Sequence, residues 1–305
     1  VISMDGVLLV DKPTGLTSFD VVARVRRALR EKRVGHAGTL DPEATGLLVI
    51  CLGEATKLVP YLMDADKEYL ATARLGITTD TDDAAPGSKV LFESPEASLR
   101  ALSESQVSEA LRKQVGAIAQ KPPRFSALKV DGQRLYDKAR AVQTEADAQA
   151  IEQQIEAKTR TVEIHDIQIE SVSLSLPHPA LTFRVHCGKG TYIRSIARDL
   201  GEALGVGAHL TALRRLRVGR FSVEDAVSLD ALTAAPLAPL PAAVAHLPAV
   251  SVTPDVAQRV RQGHRATVAA LPLPKAQVAV VLDEQRQLVA MLSHSDGTWR
   301  IARGF

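Results

Sequence analysis

The stretch Gly35 to Leu48, GHAGTLDPEATGLL, constrains this chain most, because it is polar and glycine-punctuated yet runs directly into an apolar segment. Gly35 and Gly38 flank His36, so the backbone there has access to turns closed to other residues, and Asp41-Pro42 signals a turn or a helix entry. A short helix after Pro42 fits, with Asp41 as its N-cap and Pro42 at its first position. That plain structural role competes with a chemical one for Asp41, and spacing alone does not decide between them. Leu47 to Leu52 then reads as a short buried strand.

The flanking segments have clearer periods. VLLVDKP, ending at Pro13, reads as a strand running into a turn, and Thr17 to Asp20 as a capping box that opens a helix reaching about Val34. Val21, Val22, Val25 and Leu29 make its apolar stripe, while Arg24, Arg27, Arg30 and Arg33 face elsewhere, toward solvent or toward RNA phosphate. Tyr69 to Leu75 alternates as a strand, Thr79 to Gly87 is an acidic loop and no phosphate site, and Ser105 to Gln120 has helical spacing until Lys121-Pro122-Pro123 stops it. Residues 139–160, rich in Ala, Gln and Glu with few apolar anchors beyond Ile151 and Ile155, are expected to form a mobile helix or arm.

Val162 to Ile169 and Leu181 to Cys187 are expected strands, with His186 facing outward in the second. Ile193, Ile196, Ala197, Leu200 and Leu204 define an amphipathic helix ended by Gly205, with Arg194 at its start. LRRLRVGRF clusters Arg214, Arg215, Arg217 and Arg220 into a local basic patch. From Leu232 to Pro248 the chain is almost wholly Ala, Leu and Pro, which reads as an interdomain linker. Strands at Gln277 to Asp283 and Leu288 to Leu292 suggest a small β-rich module beyond it.

A length of 305 residues implies about two domains. With 46% hydrophobic and 24% charged residues the chain can bury a real core, which excludes whole-chain disorder. The formal net charge is only +2, so any affinity for nucleic acid has to come from local clusters of Lys and Arg. Two cysteines far apart, Cys51 and Cys187, suggest reduced thiols and a cytoplasmic location and argue against a metal site. No window is long and apolar enough for a membrane span. The sequence opens at Val1 without an initiator methionine or a signal-peptide pattern, so a few residues are expected to precede it.

GHAGTLDPEATGLLVICLGEATKL resembles the signature of the tRNA pseudouridine synthase B family, which isomerises the T-loop uridine at tRNA position 55. Further blocks follow the family order: DKPTGLTS at Asp11 to Ser18, KEY at Lys67 to Tyr69, KPPRFSALKVDGQRLYDKAR at Lys121 to Arg140, and GKGTYIRSIARDLG at Gly188 to Gly201. Together they span most of the first 220 or so residues. The resemblance implies an α+β fold, a mixed central β-sheet with flanking helices and a cleft across it, as a catalytic domain over residues 1–240. A small β-rich PUA-like RNA-binding domain would occupy 246–305.

Pseudouridine formation detaches a uracil from its ribose, rotates it and reattaches it through carbon, which calls for a nucleophile or charge stabiliser and for no metal or redox cofactor. The resemblance assigns the nucleophile to Asp41, adding either to the base or to the anomeric carbon. It lets His36 fill the space left by the flipped base and Tyr69 stack on that base, with Lys12, Pro13, Tyr192 and Leu213 at further pocket positions. Arg194 is expected to hold Asp41 by an ion pair, because a guanidinium fork opposes the rise in pKa that desolvation imposes on a carboxylate. Arg30, Arg214, Arg215 and Arg217 are expected on RNA phosphates, Glu43 at the surface, and the partner is the T-arm stem-loop of tRNA, bound by a monomer. Two rivals stand beside this. One is an RNA-binding or RNA-folding module with incidental catalysis, for which asparagine at position 41 would speak; the other is a carboxylate-dependent hydrolase, which asks for a metal-ligand cluster or a second spaced carboxylate.

Overall fold

The computed structural model of the chain describes residues 4–125, 129–130, 133–134 and 144–305. Parts of the 121–140 block and of the expected arm at 139–160 thus lie outside the described residues. The chain divides into two compact units, Val1–Ala65 with Arg217–Phe305, and Asp66–Leu216.

The first unit opens with strand β1 (Gly6–Lys12) and helix α1 (Ser18–Leu29), followed by strands β2 (Val34–His36) and β3 (Thr45–Leu52) and helix α2 (Val59–Asp64). β1 and β3 pair antiparallel, Gly6 opposite Leu52 through Lys12 opposite Gly46. Both are buried nearly throughout, as continuous apolar runs covered on both faces should be. The α1 capping box is present: the Asp20 amide donates to the Thr17 hydroxyl and the Thr17 amide to the Asp20 carboxylate. Val21, Val22 and Val25 pack against Leu8, Val10, Leu48 and Ile50.

α1 ends at Leu29, short of the expected Val34. Residues 30–33, Arg-Glu-Lys-Arg, add nothing to the apolar stripe, and Arg30 leaves the helix with φ +54°. Val34 to His36 instead pair with β3, Val34 opposite Leu52 and His36 opposite Ile50, which satisfies their backbone in the sheet. No helix follows Pro42 either; residues 41–44 form a turn closed by the Ala44 amide donating to the Asp41 carbonyl (3.1 Å).

The second unit runs through β4 (Lys67–Leu75), the hairpin strands β5 (Ile77–Thr79) and β6 (Val90–Glu93), α3 (Glu96–Arg100), α4 (Glu104–Arg112), β7 (Gly116–Gln120), the short strands β8 (Lys129–Val130) and β9 (Gln133–Arg134), and α5 (Glu145–Glu156). It continues with β10 (Arg160–Ser173), β11 (Ala180–Cys187), α6 (Ile193–Leu204) and β12 (Ala208–Val218). Its sheet has the order β12-β4-β11-β10-β7. β4 alternates strictly between buried and half-buried residues, the sign of one face turned inward.

The helix expected over Ser105 to Gln120 is two elements. Gly116 at φ +104° breaks it, and Ala117 to Gln120 pair antiparallel with β10, so long-range ladder bonds override a helical pattern of moderate strength. The described part of the arm is the helix α5, which carries a capping box at Thr144, buries Ile151 and Ile155, and places Glu152 and Glu156 against Lys121. At the end of α6 a Cβ on Gly201 would stand 2.1 Å from the Ala208 amide nitrogen; only glycine admits that approach.

The first unit is completed by β13 (Phe221–Ser222), α7 (Leu240–Ala243), β14 (Ala249–Ser251), α8 (Pro254–Arg261), α9 (Arg265–Ala269), β15 (Val278–Leu282), β16 (Leu288–Ser295) and β17 (Thr298–Gly304). The Ala-Leu-Pro stretch is no free linker. Val7 and Ala238 exchange two backbone hydrogen bonds of 2.8 Å, and Ala243 and Val244 are buried. Gly6 permits this, since a Cβ there would lie 3.0 Å from Leu237 Cβ and 3.1 Å from the Ala238 carbonyl oxygen. Apolar side chains without competing polar groups gain more by docking on β1 than by remaining hydrated.

The two strands expected near the C-terminus are β15 and β16, in a sheet ordered β14-β15-β16-β17. Val280, Leu282, Leu288 and Met291 share a core cluster with Val7, Leu9, Leu47 and Val49. The C-terminal module is therefore packed on the N-terminal strands, a division that does not follow the linear boundary near residue 240 expected from composition.

Candidate active site

The Gly35 to Leu48 segment is pinned from two sides within the first unit. Lys12, fully buried, donates from Nζ to the carbonyls of Pro13 (2.9 Å), Leu16 (2.6 Å) and Pro42 (2.9 Å). Gly15 adds its amide to the Pro42 carbonyl at 2.9 Å. On the other flank Ser18, at the first turn of α1, exchanges two bonds with Leu40: the Leu40 amide donates to Ser18 Oγ (2.9 Å) and the hydroxyl donates to the Leu40 carbonyl (3.2 Å). Asp41 sits between these two clamped residues, half-buried, with backbone direction set before any substrate arrives. That is the preorganisation a nucleophile or electrostatic group needs.

Lys12, matched to a pocket position, thus serves here as a staple whose ammonium is spent on three carbonyls. Pro13 is exposed beside it. His36 is half-buried in β2, and the exposed Phe19 ring stands edge-on to it with centroids 6.0 Å apart. Glu43 is exposed and accepts from the Thr14 hydroxyl (3.0 Å), which agrees with a surface role.

The remaining candidates lie in the second unit. Tyr69 is 9% exposed in β4, opposite Val185. Tyr192 caps α6 and is held by both ends of the Gln120 amide, its own amide donating to Gln120 Oε1 (2.8 Å) and its carbonyl accepting from Nε2 (3.1 Å). The Arg160 guanidinium lies 5.2 Å from the Tyr192 ring centroid, a cation–π arrangement. Leu213 is half-buried in β12. Arg194 is only 5% exposed, and its guanidinium donates to the carbonyls of Thr81 (2.9 Å) and Phe125 (3.0 Å) and lies 3.7 Å from Asp83.

Of the arginines expected on RNA, Arg30 and Arg217 are exposed, Arg214 is half-buried and Arg220 is exposed beside them. Arg215 is a correction to the surface patch: at 1% exposure it is buried, between the half-buried Arg214 and Leu216.

The acidic loop holds residues that sequence reasoning passed over. Arg194 and Arg198 stand four apart on α6 and therefore on one face, and they meet Asp83 and Asp82 respectively, Arg198 at 3.2 Å from Asp82 and 2.8 Å from Asp199. The available signal was that spacing, arginines at i and i+4 answering adjacent carboxylates. Burial pushes Asp82 up to about 6 from 3.8, outweighing the pull of Arg198 and Arg194. For Arg198 burial lowers the pKa, yet Asp199 and Asp82 outweigh it and the net shift is upward, so the guanidinium stays charged.

A stability prediction follows from the sign of the Asp82 shift. The folded chain holds this proton more tightly than the unfolded one, so between pH 4 and 6 the unfolded state ionises first and stability falls as pH rises through that window. Asp82→Asn cannot ionise. Denaturant midpoints from pH 4 to 7 should show the variant gaining on wild type by up to roughly 3 kcal/mol, on top of a constant offset from lost bonds to Arg198. A difference that is flat with pH rejects the shifted carboxyl.

Comparison with known proteins decides the family. The model described as TruB family pseudouridylate synthase (N terminal domain) matches residues 26–193, and that described as tRNA pseudouridylate synthase B C-terminal domain matches residues 194–239. The chain belongs to the TruB family. The tRNA pseudouridine synthase B of Burkholderia mallei is 46% identical over 278 residues, covering 88% of this chain and 85% of that relative. The one from Ralstonia nicotianae is 46% identical over 89% of this chain and 83% of its own length. Among solved structures, a chain of an H/ACA RNP bound to a substrate RNA containing 2′-deoxyuridine superposes with a TM-score of 0.71 at 24% identity, over 98% of this chain and 84% of that one, which shows a shared fold. A chain of the archaeal box H/ACA sRNP Nop10-Cbf5 complex gives a TM-score of 0.70 at 25% identity, over 98% and 85%. The α+β fold expected from sequence is therefore that of this TruB family member. Among the described residues no helix is long and apolar enough to cross a membrane.

Proposed function

We propose that this TruB family member is a tRNA pseudouridine synthase that isomerises the T-loop uridine at position 55, with Asp41 as nucleophile. The observation that carries the reading is the doubly clamped Asp41 loop in a chain 46% identical to tRNA pseudouridine synthase B over most of its length. The target uridine is flipped out of the folded RNA, His36 takes the vacated space with Phe19 at its edge, and Tyr69 stacks on the extruded base. Arg194 fixes the Asp41 carboxylate. Tyr192, Leu213 and Pro13 shape the pocket, and Lys12 acts one step back, through the carbonyls it gathers.

Incubating the protein with an unmodified tRNA transcript, then mapping pseudouridine along the RNA, tests the proposal directly. Conversion confined to the T-loop uridine is the expected result. Conversion elsewhere, or none, rejects the proposed substrate.

RNA affinity should rest on exposed cations, since phosphate neutralisation releases counterions and makes binding fall steeply with salt. Arg30→Ala and Arg217→Ala should each weaken binding to any stem-loop by similar factors and lower the logarithmic salt slope by about one unit. Arg215→Ala, at a buried position, should act on stability instead. Filter binding over a salt series separates these outcomes, and a flat dependence for wild type overturns the electrostatic account.

A further inference from the structure

One cluster of metal-ligating side chains lies outside the residues used so far, at the edges of three neighbouring strands of the second unit. In the β10–β11 ladder Ile164 pairs with Cys187 and Asp166 with His186, so His165 has no partner and is the extra residue of a bulge. A bulge re-aims a side chain, and here it puts two successive residues, His165 and Asp166, outward while Ile164 stays in the core. The His165 ring thereby comes to the side occupied by His186, with centroids 4.7 Å apart and planes at 49°. On the other edge of β11, Lys67 and Glu68 of β4 pair with Cys187 and His186. Asp66, immediately before β4, reaches both rings, Oδ1 at 3.3 Å from His165 Nε2 and Oδ2 at 3.9 Å from His186 Nε2.

We propose that Asp66, His165 and His186 form a binding site for one divalent transition-metal ion of the zinc class. One ligand atom from each residue lies within 4.8 Å of the others. Two donors 2.0–2.1 Å from a tetrahedral ion are about 3.3 Å apart; Asp66 Oδ1 and His165 Nε2 already have that spacing, and the set as a whole, within 4.8 Å, closes on an ion by side-chain shifts of about 1 Å or more. The side chains of His165, His186 and Asp66 are 35%, 50% and 51% exposed, so that adjustment is open to them and the ion enters from solvent. Two imidazoles and one carboxylate select zinc, nickel or copper over magnesium and calcium, which prefer all-oxygen shells. Three protein ligands leave a fourth position to water.

The neighbouring thiol of Cys187 is not a ligand. It is buried, on the face of β11 opposite the exposed His186, and so lies away from the cluster. The ligands are separated by a hundred residues of chain between Asp66 and the two histidines, so only the folded protein assembles them and metal should stabilise it.

The test uses the full chain, freed of metal by chelator and dialysed against zinc chloride alone. One zinc per chain and a rise in Tm of a few degrees are expected. His165→Ala and His186→Ala should each weaken binding by about tenfold or more and remove the Tm rise, and His264→Ala should leave both intact. Since all three ligands are exposed, circular dichroism and Tm without metal should match wild type. Cobalt in place of zinc should give ligand-field bands without thiolate charge transfer. No saturable binding up to about 1 mM zinc, binding that survives both histidine variants, or a thiolate band each overturns the assignment.

Discussion

Asp41→Asn should retain tRNA binding and lose pseudouridine formation by about a thousandfold or more in single-turnover assays with unmodified transcript. The substitution is nearly isosteric, and the loop keeps backbone clamps on either side of residue 41. Its neighbours are held by Lys12 through the Pro42 carbonyl and by Ser18 through both polar groups of Leu40, and those bonds remain. What is lost is a charged oxygen able to add to carbon. Equal conversion by variant and wild type defeats the nucleophile assignment. If neither converts while both bind, the chain acts as an RNA-binding module. Glu43→Gln, at an exposed neighbour, is the control and should change neither rate nor affinity by more than about twofold.

Arg194→Lys should lower single-turnover conversion by roughly a hundredfold while tRNA affinity changes little. Lysine keeps the positive charge and loses the planar fork, which here donates in two directions, to Thr81 and to Phe125, beside Asp83. A guanidinium so placed is fixed in orientation. At 5% exposure it is also poorly placed to meet a phosphate. Loss of affinity with the single-turnover rate preserved at saturating tRNA would make Arg194 a phosphate ligand and remove the proposed pairing with Asp41. Thermal unfolding of the variant guards against a collapsed fold, because breaking contacts of a buried charge costs several kcal/mol.

Local chemistry made much of this protein legible in its residues. The α1 capping box, the buried strand from Leu47 to Leu52, the alternation of Tyr69 to Leu75 and the glycine stop at Gly205 depend on neighbours in sequence, and each stands where its pattern put it. The misplaced ends have a common cause. Residues 30–36 and 113–120 leave their helices because β3 and β10, remote in sequence, offer ladder hydrogen bonds that no local pattern announces. Arg215 was expected on RNA phosphate and Lys12 at a pocket position; the first is buried, and three converging carbonyls hold the second.

By itself the sequence determined the family and singled out a candidate nucleophile, because motif blocks are properties of residues in order. Only the tertiary structure decided that the Ala-Leu-Pro stretch docks on β1, that the C-terminal strands share a core with the N-terminal ones, and that Asp82 and Asp83 answer Arg198 and Arg194. It also decided that Asp66, His165 and His186 meet. These are encounters between segments tens to hundreds of residues apart, and their partners are selected by shape, burial and the need to satisfy buried polar groups, which a linear reading does not contain.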